Sequence, residues 1–269
     1  MTEQPKSLIY LYAIVPSGAP DAPPELRGLE DEPVELLRVG DVAAVIGQVP
    51  GEAYSDDALN ERLDDLAWVG ERGMAHERVL DWYAERDSVI PLSLFSIHRD
   101  RERVERRVAE DRAEFLRILG ALRGRKEWGI KLWRVESEAR EGVDELSPSL
   151  QELQRQIEAA PAGRRFLLEK KREEMRTEEV RTSSKRIAHE LFAALGRSAD
   201  RSASVPVPAG AAGGDRLLLL NAAYLVPDEG FERFQQGVTE QAGRLAGSGF
   251  QIEFTGPWPP YHFSEPEDD

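Results

Sequence analysis

The chain has 269 residues, with 35 basic against 50 acidic side chains, a net charge of -15 at pH 7 and no cysteine. That charge repels phosphate backbones and anionic membrane surfaces at long range, so nucleic acid is not expected as a partner. The missing cysteine excludes disulfides, thiol nucleophiles and Cys-ligated zinc, and a cytosolic address is expected.

The length and a hydrophobic fraction of 41% suit two folded domains. SLIYLYAIV, Ser7 to Val15, is rich in β-branched and aromatic residues and stops at Pro16, which predicts a buried first strand. Its apolar run is too short for a signal peptide, and no run approaches the twenty residues of a membrane span. VELLRVGDVAAVIGQVP splits at Gly40-Asp41 into a hairpin, Val34 to Val39 and Val42 to Val49. From a cap at Ser55 or Asp56, Leu59, Leu63, Leu66, Val79, Leu80 and Tyr83 recur at helical spacing, predicting two consecutive helices with a break near Gly70 and Gly73. SVIPLSLFSI reads as a strand that Pro91 confines to a sheet edge or bulge. A charged helix from about Asp100 turns Val104, Val108, Phe115, Leu119 and Leu122 inward.

EWGIKLWRVE opens the second half as a strand, with the boundary near residue 125. SEAREGVDELSPS shows no clear period, a helix is expected over 149–160, and a long charged helix follows from about Gly163 to Leu195 with Met175, Ile187, Leu191, Phe192 and Leu195 as its apolar stripe. SASVPVP predicts a short strand, Gly210 to Gly214 a hairpin loop, and RLLLLNAAYLVP a long buried strand. A helix with Phe231, Phe234, Val238 and Leu245 inward and the strand FQIEFTG complete the half. The order strand, helix, strand, strand, helix, strand is that of a ferredoxin-like βαββαβ sheet. The fold class is therefore α+β in two domains: a mixed α+β sheet domain over 1–125, a ferredoxin-like domain with a long charged helix over 126–263, and an acidic tail over 264–269.

The residues carry no catalytic constellation. His76 and His189 each precede a Glu, but Leu80 and Ala193 stand where a zincin helix needs its second His. Both are expected on a helix surface or in domain packing, and His98 and His262 stand alone. GALRGRK lacks the phosphate-loop spacing and has Glu127 in place of the hydroxyl residue, so it reads as a basic helix end closed by glycine. No metal site, no cofactor site and no catalytic residue is expected.

TGPWPPYHF, Thr255 to Phe263, combines three prolines with Trp258, Tyr261 and Phe263, an apolar cover for a sheet end. With the NAAYLV strand, the opening YLYAIVP, the GDVAAVIGQVP hairpin, the HERVL helix, VIPLSLF and EWGIKLWRVE, it resembles the gas vesicle protein F/L family (GvpF/GvpL) along nearly the whole chain. The likeness departs from the family pattern at Ser93 and Ser96, where an Arg and a Gly are usual. It implies a cytoplasmic, vesicle-associated accessory protein of gas vesicle assembly, non-enzymatic, with a modified ferredoxin-like second domain. The implied partners are the hydrophobic shell protein and other accessory vesicle proteins. Leu92, Leu94 and Phe95 at the edge strand, with Trp258, Tyr261 and Phe263, are the expected docking residues. The alternative is a ferredoxin-like small-molecule binder or enzyme whose pocket would contain His189 or His262.

Overall fold

The computed structural model describes residues 6–207 and 212–264. Gly210 and Ala211 of the expected hairpin loop, and the acidic tail from 265 onward, lie outside the described residues. The chain is α+β with two antiparallel sheets, and its contacts divide it into two compact units, Met1–Glu127 with Trp258–Asp269, and Trp128–Pro257.

In the first unit, strand β1 (Ser7–Pro16) is buried without interruption from Leu8 to Val15. Strands β2 (Glu35–Val39) and β3 (Val42–Pro50) form the hairpin read from the sequence, with Gly40 at φ 63°, a left-handed turn conformation that glycine adopts without a Cβ penalty. A one-turn helix α1 (Gly51–Tyr54) leads to α2 (Asp56–Arg62), capped by Ser55, whose hydroxyl accepts the Ala58 N–H. Helix α3 (Leu66–Ala84) starts at Asp65, whose carboxylate accepts the N–H groups of Ala67 and Trp68. The helix runs unbroken through Gly70 and Gly73, so the expected break falls earlier, at residues 63–65.

SVIPLSLFSI is not one strand. It gives β4 (Ile90–Pro91) and β5 (Ile97–His98), both paired with β1, and leaves the sheet between them. The sheet order β2-β3-β1-β4 puts the proline strand at an edge, where its missing N–H costs no ladder bond. Helices α4 (Arg101–Glu110) and α5 (Arg112–Leu122) replace the single charged helix, separated at Asp111. One core cluster joins Leu8, Tyr10 and Tyr12, alternate residues of β1, to Val79, Leu80 and Tyr83 of α3.

The second unit opens with β6 (Arg125–Val135), of which the residues from Trp128 belong to it. Three helices follow: α6 (Glu136–Leu146), α7 (Pro148–Ala159) and α8 (Ala162–Gly196). Helix α6 lies where the sequence shows no period. Among its described side chains the buried apolar ones are Ala139 and Val143, and it is held by a distant close approach. A Cβ on Gly249, at φ 78°, would stand 2.3 Å from the Ala139 nitrogen, and the Val135 N–H donates to the Gly249 carbonyl at 2.8 Å. After β7 (Arg201–Ser204), β8 (Ala212–Gly213) and β9 (Arg216–Pro227) come α9 (Phe231–Leu245) and β10 (Phe250–Trp258).

The sheet order is β10-β6-β9-β7, with β8 added beside β9. Leu191 and Leu195 from the end of α8 join Phe234 and Val238 of α9 over Ile130, Leu132 and Tyr224. The first half of α8 packs instead on α6 and α7, around Ala139, Val143, Leu150 and Val180. Asp144 fixes that arm by pairing with Arg172 at 2.5 Å and with Arg176 Nε at 2.9 Å.

Candidate functional site

The expected docking residues all fall in the first unit, including the C-terminal segment from Trp258, which groups with that unit although the sequence reading placed it in the second domain. Helix α3 positions three of the six, Leu92, Phe95 and Tyr261, through His76, Trp68 and Glu77.

His76 is 1% exposed, not a surface residue. Its Nε2 lies 3.2 Å from the Leu92 carbonyl, which can only accept, so Nε2 carries the proton. Nδ1 therefore accepts from the Tyr10 hydroxyl at 2.8 Å, and that oxygen accepts the Phe95 N–H at 3.0 Å. The relay ties both ends of the 92–95 excursion to the sheet. Burial pushes the imidazolium down to about 4 from 6.5, keeping the ring neutral and able to accept. Phe95 sits at φ 65°, unusual for a residue with a side chain, and its ring stacks on Trp68 at 5.4 Å between centroids. Leu92, Leu94 and Phe95 are half-buried, and Leu92 also donates its N–H to the Tyr12 carbonyl at 2.9 Å.

The C-terminal segment closes on the same unit. The Tyr261 hydroxyl donates to Glu77 at 2.7 Å, and burial raises the Glu77 carboxyl above its ordinary range. His262 does not stand alone: the Glu127 carboxylate, 3% exposed, accepts its backbone N–H at 3.0 Å and contacts its Nδ1 at 2.6 Å. The hydrogen bond to Glu127 raises the His262 pKa. Its stabilising contribution is thus complete below 6.5 and fades as pH rises through the raised value. With a side chain 41% exposed, solvent screening keeps that contribution below about 1 kcal/mol. Phe263 is 3% exposed and belongs to the core, whereas Trp258 is 48% exposed. Tyr261→Phe removes one hydrogen bond to a half-buried carboxyl and is expected to cost about 1 kcal/mol in urea unfolding.

Two apolar residues of the helical pattern, Leu63 and Leu66, are 48% and 83% exposed, and Met74, two turns along α3 from Leu66, is 66% exposed. Between Leu66 and Met74 the helix carries Gly70 and Gly73, where an added Cβ would meet nothing within 4 Å. Leu66, Gly70, Gly73, Met74 and Glu77 share one side of the helix, so this open stripe runs up to the Glu77 that holds Tyr261. An uncovered apolar helix face of this kind marks a contact surface more than an isolated exposed leucine does.

The second unit holds a cavity of about 240 Å³ lined by Ala139, Val143, Ser147, Glu179, Ile187 and Phe250 among others. Neither His189 nor His262 lines it, and Ser147 is engaged as the α7 cap, accepting the Leu150 N–H. Buried Ser184 donates to the Val180 carbonyl and accepts from Arg134, a structural role. Among the described residues, no cluster of three or more His, Cys, Asp or Glu side chains forms a metal-binding arrangement, and no helix is long and apolar enough to cross a membrane.

A model of the gas vesicle synthesis protein GvpL/GvpF family matches residues 8–265. Gas vesicle protein L of a Streptomyces strain is 29% identical over 258 residues, covering 96% of this chain and 92% of that protein. The crystal structure of the gas vesicle protein GvpF from Anabaena sp. PCC7120 superimposes with a TM-score of 0.66 at 19% identity, over 97% of this chain and 98% of that one. GvpF from Microcystis aeruginosa gives 0.63 at 20% identity, over 96% and 99%. At these identities the two crystal structures carry the fold.

Proposed function

The chain belongs to the GvpL/GvpF family of gas vesicle synthesis proteins, and from that membership we propose that it is a non-catalytic assembly factor that holds the hydrophobic shell protein in solution until it is incorporated. The observation that carries this reading is the open apolar stripe from Leu66 to Met74, with Leu63 also exposed just before it, on an otherwise strongly acidic chain. A shell subunit before assembly presents apolar surface that drives aggregation. Covering it with the stripe, while the net charge of -15 keeps the complex dispersed, opposes that outcome.

Leu92, Leu94 and Phe95, held by the His76 relay, and Trp258 and Tyr261 of the C-terminal segment widen the docking face, with Phe263 anchoring the segment from beneath. The architecture is a mixed α+β domain followed by a modified ferredoxin-like one. The strand order β10-β6-β9-β7, fourth, first, third and second of the main strands, supports the latter. The setting is the cytoplasm, at the growing vesicle.

Co-expression with the shell protein tests the function. The wild type is expected to keep shell protein in the soluble fraction. The double variant Leu66→Glu/Met74→Glu, whose sites are exposed and so compatible with an unchanged unfolding midpoint, is expected to lose most of that effect. Equal retention by the two proteins would remove the stripe from the docking face, and no retention by either would remove the chaperone role.

A further inference from the structure

Of the eight large apolar side chains exposed among the described residues, five fall in two patches: Leu63, Leu66 and Met74 on α2–α3, and Phe166 with Leu167 on α8, 70% and 65% exposed. The two patches carry opposite charge. Between Asp56 and Arg78 there are seven carboxylates against three arginines. Arg72 is engaged by Glu30 and Arg62 lies over the Trp68 ring, so the rim of the stripe is acidic. Around Phe166 and Leu167 the order reverses: with Arg172 paired to Asp144, Arg164, Arg165, Lys170 and Lys171 stand against Glu169, a basic segment in a chain of net charge -15.

The position of the basic patch is also distinctive. Helix α8 has 35 residues, about 52 Å, and only its end packs on the sheet. Its first half forms the arm with α6 and α7, and Phe166 and Leu167 stand four and five residues from the start of that arm. Two adjacent large apolar side chains ringed by cations form a knob. A shallow stripe made of Leu66, two glycines and Met74, ringed by carboxylates, is a matching seat.

We propose that the knob of one copy docks on the α2–α3 stripe of a second copy, so that the protein self-associates head to tail. This deepens the docking reading above, because the same stripe is assigned there to the shell protein: self-association would cover the apolar face until a client displaces the neighbouring copy. A contact between two different patches is heterologous, so it extends into open chains or closes into rings. The ionic part is exposed and screened, so association weakens as salt rises.

Sedimentation of the purified full chain, without shell protein, tests the contact independently of the client. The wild type is expected to self-associate with a salt-sensitive affinity. Phe166→Glu/Leu167→Glu and Leu66→Glu/Met74→Glu are each expected to weaken it about 30-fold or more, the loss typical of a central apolar anchor. Mixed one to one, the two variants keep one intact knob and one intact stripe between them and are expected to form a heterodimer that grows no further. A wild type that stays monomeric at all concentrations, either variant associating like the wild type, or a mixture that stays monomeric would overturn the proposal. Binding of the monomeric wild type to vesicles rich in anionic phospholipid, lost in the Phe166→Glu/Leu167→Glu variant, would overturn it in favour of a lipid surface.

Discussion

Acidification from pH 6.5 to about 4 is expected to cost the folded protein about 3 kcal/mol through His76 alone. The free imidazole titrates at 6.5 and the buried one at about 4, so in this window the unfolded chain takes a proton that the folded chain refuses. Stability from a depressed group of this kind is present above 6.5 and is lost as pH falls to the folded value, at about 1.4 kcal/mol for each pKa unit. The cause is burial: a protonated ring would carry its charge out of reach of water, and the Tyr10 hydroxyl would have to turn its hydrogen away from Nδ1. Glu77 and Asp81 on the same helix act in the opposite sense, since burial raises both carboxyls and the folded chain takes their protons more readily. The difference between wild type and His76→Gln therefore isolates the histidine. The variant should be less stable at neutral pH and should lose less stability between pH 6.5 and 4. Parallel pH profiles would contradict the assignment of a neutral His76.

Phe263→Ala is the other large effect. The side chain is 3% exposed, and truncation of a buried phenylalanine costs about 3–5 kcal/mol through lost burial and the cavity left behind. Trp258→Ala, at a residue 48% exposed, is expected to cost far less despite the larger ring. Chemical denaturation of the two variants checks the order, and equal costs would contradict the placement of the two aromatics. A triple alanine variant of Trp258, Tyr261 and Phe263 would confuse docking with stability, because one of the three is core and another bonds Glu77.

Local signals in the sequence were sufficient for most elements. Alternation and turn residues located the β2–β3 hairpin and β9, and Ser55 and Pro227 sit where a cap and a strand stop were read. Non-local support was invisible. Helix α6 depends on Gly249, more than a hundred residues away, and its own residues carry too few apolar side chains to announce it. A motif search around His76 reaches Leu80, four residues on, whereas its partner Tyr10 is 66 residues upstream. Glu127 shows locally only as a failed phosphate-loop position, while its partner His262 is 135 residues downstream. Leu63 and Leu66 show a different limit. Helical spacing reports which side a residue faces, and says nothing of whether the fold puts anything against that side. The proposed docking face is therefore half legible: the 92–95 segment and Trp258 carry a signal in their aromatic and proline content, and the stripe shows only helical spacing.

The most direct test is hydrogen exchange on the full chain with and without the shell protein, the client proposed for it. At concentrations where the chain is monomeric, slowed exchange is expected over residues 66–77 and 92–96 when shell protein is present, with the cavity-lining part of α8 unchanged. Protection confined to the second unit, or none anywhere while the shell protein stays in solution, would contradict it.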